Sequence, residues 1–192
     1  TTLFRSRSTS TASLVNLYGA GRNTAYTPTN ANLASPEVNV INGTVIGCLY
    51  GGGQGHTAIT TANPVINFGY NPSMASLVEG LAPGAYTNFY YANANNIYGG
   101  GNAAGVVGNP KVTISKDDTQ IVGSVYGGGA GEEEFPEYAL IQGSDTIRIN
   151  GGTVELNVFG GGEVASVTGN TWIDMKGGQV NKDVYGGGQG LN

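Results

Sequence analysis

His56 is the only histidine among the 192 residues, and Cys48 is the only cysteine. A nucleophile–base pair needs both groups in one place, with a third group to orient the imidazole. Nothing in the surrounding sequence supplies a Ser-His-Asp triad or a Cys-His pair. His56 follows Gly53-Gln54-Gly55 and reads as a turn residue, whereas Cys48, within Ile46-Gly47-Cys48-Leu49-Tyr50, reads as a small buried hydrophobe. A single cysteine also excludes an internal disulfide.

The carboxylates offer two further chemistries. The segment Gly128-Gly129-Ala130-Gly131-Glu132-Glu133-Glu134-Phe135 puts an acid where the calcium-binding nonapeptide G-G-x-G-x-D-x-U-x has its Asp. The match does not run in tandem, because Gly52-Gly53-Gln54-Gly55-His56-Thr57 carries no acid. A solvated acidic loop is therefore the first reading, and calcium held by Glu132, Glu133 and Glu134 the second. Hydrolysis of a polysaccharide would require carboxylates, or a Lys or Arg base, converging on one groove. The acids singled out beside the strand-like segments are Asp117, Asp118, Asp174, Asp183 and Glu155, and Asp117-Asp118 occupy a turn. These residues give no acid–base pair, so the chain is read as a non-enzyme that calls for no cofactor.

A third group is aromatic. Tyr86, Phe89, Tyr90 and Tyr91 lie among asparagines, a composition that suits a subunit interface, a glycan platform, or a loop covering its own rings. Just before them, residues 71–80 begin Asn-Pro and end in Gly, which predicts a short helix there.

The elements that would position these groups come from a repeat. Leu17-Tyr18-Gly19-Ala20-Gly21, Leu49-Tyr50-Gly51-Gly52-Gly53, Ile97-Tyr98-Gly99-Gly100-Gly101, Val125-Tyr126-Gly127-Gly128-Gly129, Val158-Phe159-Gly160-Gly161-Gly162 and Val184-Tyr185-Gly186-Gly187-Gly188 share one pattern, aliphatic-aromatic-Gly-small-Gly. Their aromatics are 32, 48, 28, 33 and 26 residues apart. Ahead of most copies runs an alternating segment with a turn, as in Val38-Asn39-Val40-Ile41-Asn42-Gly43-Thr44-Val45 and Ile147-Arg148-Ile149-Asn150-Gly151-Gly152-Thr153-Val154. A hairpin of this size is not stable alone, so the copies must stack and bury one another's faces. Spacings of 26 and 28 are too short for a four-stranded propeller blade, the main competing fold.

The predicted fold is all-β, a parallel β-helix of five to six irregular coils forming one domain. It has a strand-like N-terminal arm over residues 1–16 and an insertion over 57–96. Tyr18, Tyr50, Tyr98, Tyr126, Phe159 and Tyr185 should form an aromatic ladder, facing either into or out of the coil.

Composition agrees with a stacked β architecture. Glycine makes up 34 of 192 residues, without the every-third-residue period of collagen, and apolar residues recur in alternating runs that disorder lacks. A net charge of −5 with eight Lys plus Arg offers no patch for a phosphate backbone, so nucleic acid is an unsuitable partner. No apolar run approaches the roughly 18 residues that span a bilayer. The Thr1-Thr2 start suits a mature product with its targeting segment removed, or equally a fragment.

The Val-Tyr-Gly-Gly-Gly and Ile-x-Gly-Gly-x-Val units resemble the glycine-rich β-helix repeats of large bacterial surface and adhesin-like proteins, over roughly residues 14–56 and 96–192. The resemblance implies an extracellular or cell-surface, right-handed parallel β-helix used in display, adhesion or assembly. It carries no catalytic residues to transfer. With no capping element evident at either end, the expected function is head-to-tail self-assembly into a filament or surface fibre. The alternatives are a repeat fragment of a larger adhesin that binds glycans and, more remotely, a polysaccharide-cleaving β-helix enzyme.

Overall fold

The computed structural model describes residues 2–4, 13–30, 35–41, 43–70, 92–115 and 118–191. Among them there is no α-helix, and one 3₁₀ turn, Pro136–Ala139, lies between strands. The helix expected over residues 71–80 and the aromatics Tyr86, Phe89, Tyr90 and Tyr91 lie outside the described residues, as does Asp117.

The all-β expectation holds, and every strand pair is parallel. The first sheet has the order β1 (Thr2–Phe4), β4 (Glu37–Val40), β6 (Val65–Phe68), β9 (Lys111–Ile114), β13 (Asp145–Ile149), β16 (Thr171–Met175). Its alternation is plain in β13, where Asp145, Ile147 and Ile149 are buried while Thr146 and Arg148 are partly exposed. Register stacks Ile147 on Val112 and Ile66, and Ile149 on Ile114 and Phe68. Like residues thus sit on like residues, which explains why such short apolar runs suffice as strands.

The second sheet contains two runs side by side. One comprises β2 (Ser13–Leu14), the start of β5 (Gly43–Tyr50), the start of β7 (Ala92–Tyr98), β10 (Gln120–Ile121), β14 (Thr153–Val154) and β17 (Gln179–Val180). The other comprises β3 (Leu17–Tyr18), the ends of β5 and β7, β11 (Val125–Tyr126), β15 (Val158–Phe159) and β18 (Val184–Tyr185). A third, smaller sheet pairs β8 (Val106–Val107) with β12 (Ile141–Gln142), and single bridges extend it through Tyr26, Thr60 and Val167.

The chain therefore visits the first sheet, then both runs of the second, and turns at the glycine motif. The described residues make six such passes. Within the segment expected as an insertion, residues 57–96, Thr60, β6 and the first five residues of β7 pair with neighbouring passes. Val38, Val40, Ile66, Phe68, Val112, Ile114, Ile147 and Ile149 from the first sheet meet Val45, Leu49, Ile97, Val125, Val154 and Val158 from the second in one aliphatic core. Burying each such side chain stabilises the fold by about 1.5–3 kcal/mol relative to exposure.

Candidate functional site

The aromatic side chains of the motif form a second cluster, apart from the aliphatic core. Strand alternation is the cause: Leu49 points into the core, so Tyr50 points to the other face. The six rings stack in sequence order, with centroids 4.9, 4.9, 4.7, 5.1 and 5.0 Å apart and planes within 10° of parallel. These separations match the distance between neighbouring strands, so backbone pairing and ring stacking reinforce each other. Each contact adds about 0.5–1.5 kcal/mol beyond its area term.

Some hydroxyls of the stack are anchored across passes. Tyr98 donates to Glu163 Oε2 at 2.7 Å, and Tyr126 donates to Gln189 Oε1 at 2.7 Å. In both pairs the acceptor follows the Gly-Gly-Gly of the second pass onward. Burial, then Glu163, pushes the Tyr98 phenol far above its usual value; burial is also the main cause that pushes Tyr126 up to about 12. These hydroxyls hold the stack together and stay protonated at any ordinary pH.

The turn after the aromatic is equally constrained. A Cβ on Gly127 would collide with the carbonyl oxygen of Gly160, one pass on, and come within 2.7 Å of the Asp145 carboxyl. Equivalent backbone collisions face Gly19, Gly51, Gly99 and Gly160. At Gly186 and Gly187, in the sixth pass, there is nothing within 4 Å of the added Cβ.

Polar residues at two corners continue the same stacking. The side-chain oxygen of Asn16 accepts from the Cys48 N–H, that of Asn96 from Ser124, that of Ser124 from Asn157, and that of Asn157 from Asp183, over 2.7–3.2 Å. At the second corner Asn63 accepts from Asn109, Asn109 from Ser144, and Ser144 from Asn170. Each pass presents an acceptor to the backbone N–H of the next. In the sixth pass Asp183 occupies this acceptor position.

That pass is also the exposed edge. Met175, Val184 and Tyr185, at core or stack positions, are 46%, 49% and 46% exposed, whereas their register partners Ile149, Val158 and Phe159 are at most 6% exposed. Trp172 and Leu191 are exposed as well.

The residues singled out for catalysis or metal binding are not brought together. Cys48 is half-buried against the tyrosine stack, while the His56 ring packs on Tyr138 at 5.3 Å. His56, Glu137 and Tyr138 border a surface cleft of about 180 Å³ with Ile59, Val107 and Gln142, where the imidazole packs against the Tyr138 ring. Glu132, Glu133 and Glu134 are exposed, and no metal-holding group of three or more His, Cys, Asp or Glu occurs among the described residues. Asp174 pairs with Arg148 at 3.1 Å and Lys176 at 3.4 Å. Desolvation works the other way, but hydrogen bonds from those two cations hold its carboxyl below the usual range. Glu155 accepts from Gln120 and Asn181, and Asp183 accepts from the Tyr185 hydroxyl. Asp174 and Glu155 thus pair across passes, whereas the Asp183 side chain is engaged within its own pass. Asp145 and Glu163, which the sequence reading passes over, also contact the repeat itself.

No protein-family model matches the chain, and neither a curated protein nor a solved structure does so.

Proposed function

We propose that the chain is a parallel β-helix, or β-solenoid, with a structural role: it polymerises head to tail into a filament or surface fibre outside the cell. The observation that carries this reading is the pair Gly186 and Gly187. Glycine stands at both positions although, among the described residues, nothing beyond their chain neighbours lies within 4 Å of an added Cβ. In the interior passes the requirement comes from the backbone of the following pass. A seventh pass laid on β18 would restore it.

A second copy can supply that pass through β3. Leu17, Tyr18 and Gly19 pair with Leu49, Tyr50 and the next glycine turn in the same register that Val158, Phe159 and Gly160 keep with the sixth pass. With β3 of another copy on β18, Tyr18 would stack on Tyr185 and the Asn16 N–H would meet the Asp183 carboxylate. The contact uses different surfaces on the two partners and therefore does not close.

Sedimentation velocity of the chain and of Gly186→Val tests the proposal. The parent should form oligomers whose size rises with concentration. Gly186→Val should remain a monomer with unchanged circular dichroism, because the added side chain meets nothing within its own molecule. A parent that stays monomeric at all concentrations and salts contradicts the proposal.

A further inference from the structure

Asp145 opens β13 and is 1% exposed. Register places it at the same corner as Thr171 and, one residue ahead of Lys111, Val65 and Glu37, as Pro110, Pro64 and Pro36. At this corner each side chain abuts the first glycine of the preceding pass: Pro64 at Gly51, Pro110 at Gly99, Asp145 at Gly127 and Thr171 at Gly160. The prolines bring no polar side chain. Thr171 satisfies its hydroxyl by donating to the Gly186 carbonyl oxygen.

Asp145 has no such arrangement as a carboxylate. Neither of its oxygens has a partner at full hydrogen-bond geometry, and the Trp172 backbone N–H is the one donor that acts on the carboxyl from nearby. Its Oδ1 and the Gly160 carbonyl oxygen both lie against the space that a Gly127 Cβ would fill. Two acceptors border one space, and a proton on the acid would turn their approach from unfavourable to favourable.

We propose that Asp145 is a proton-carrying latch: its carboxylic acid donates to the Gly160 carbonyl oxygen, as the Thr171 hydroxyl donates to that of Gly186, and closes the fifth pass. Loss of the proton sets a buried charge against a carbonyl oxygen and loosens the corner.

The titratable groups on the elements around it are engaged elsewhere or face away. Lys111 on β9 pairs in register with Thr146, on the opposite face of the strand, and Arg148 on β13 and Lys176 after β16 both bind Asp174. The Tyr126 hydroxyl, beside Gly127, donates to Gln189. Burial pushes the Asp145 carboxyl up to about 7, against the opposing pull of the Trp172 backbone N–H.

An acid whose folded pKa lies above its unfolded value of about 4 takes up a proton on folding. Its contribution to stability is full below about pH 4, is lost as pH rises to about 7, and is constant above that. Three pH units correspond to a roughly thousandfold fall in the folded-to-unfolded ratio.

Denaturant unfolding of the full chain between pH 4.5 and 8.5, beside Asp145→Thr and Asp145→Asn, tests the latch. Both replacements carry a donor at every pH. The ratio of parent to variant stability should fall by roughly a hundredfold or more across this range, and Asp145→Thr should be the more stable protein at pH 8. Parallel pH profiles for parent and variants would overturn the proposal. Should the variants fail to fold, ¹³C titration of the parent carboxyl decides: a midpoint near 7 supports the latch, and one near 4 overturns it.

Discussion

The fifth and sixth passes carry the same aliphatic-aromatic-glycine motif in the same register, yet they differ in what covers them. Ile149, Val158 and Phe159 are buried beneath Met175, Val184 and Tyr185, which have no further strand above them among the described residues and are about half exposed. Gly160 is pressed on the Gly186 carbonyl, whereas Gly186 faces open space. Glycine is therefore demanded by the approach of the next pass and not by the local turn. Stability in such a stack resides mainly between passes, as in other repeat architectures.

The largest expected contrast is at the glycines. Gly127→Val drives a branched side chain into the backbone of the next pass, and overpacking that cannot relax should cost about 3 kcal/mol or more, enough to unfold the chain or nearly so. Gly186→Val should leave the monomer within about 0.5 kcal/mol of the parent. Urea denaturation of dilute protein measures both, and equal losses would erase the distinction between interior and edge.

A smaller contrast follows at the core positions. Ile149→Ala should cost about 2–5 kcal/mol because it leaves a cavity between Ile114 and Met175, whereas Met175→Ala on the open face should cost less than about 1.5 kcal/mol. Smaller again is the pair Tyr98→Phe and Tyr185→Phe. The first removes a buried phenol bonded to Glu163 and should cost about 1.5–3 kcal/mol, while the second breaks an exposed 3.2 Å bond to Asp183 and should be near neutral. A reversed order would place the strain of the stack at its exposed end.

The repeat was legible in the sequence because its residues are chosen by their own kind: an aromatic stacks on an aromatic, and glycine lies on glycine. The six ring positions could therefore be aligned without knowing any loop length. Asp145 was not legible, since its equivalents are Pro36, Pro64, Pro110 and Thr171, and no residue type is common to the set. Only strand register, across passes of unequal length, reveals that they share a corner. Glu163 was hidden for a related reason: its partner Tyr98 is 65 residues away and two passes removed. The face taken by the aromatic stack follows from alternation with Leu49, but β5, at eight residues, is long enough to contain a register irregularity between Val45 and Cys48. Counting by twos from the core residue Val45 reaches Leu49, but in the paired strand β7 the core residues Ala94 and Ile97 are three apart, so the same count there gives the wrong face.

Electron cryo-microscopy of concentrated protein tests the central claim, that the sixth pass accepts the first pass of another copy, most directly. Six passes at the strand spacing of about 4.8 Å predict an unbranched filament with an axial rise of roughly 29 Å per subunit, and with Tyr185 stacked on Tyr18 at each junction. A monomer under every condition, or a closed dimer that joins two sixth passes across a two-fold axis, would contradict it.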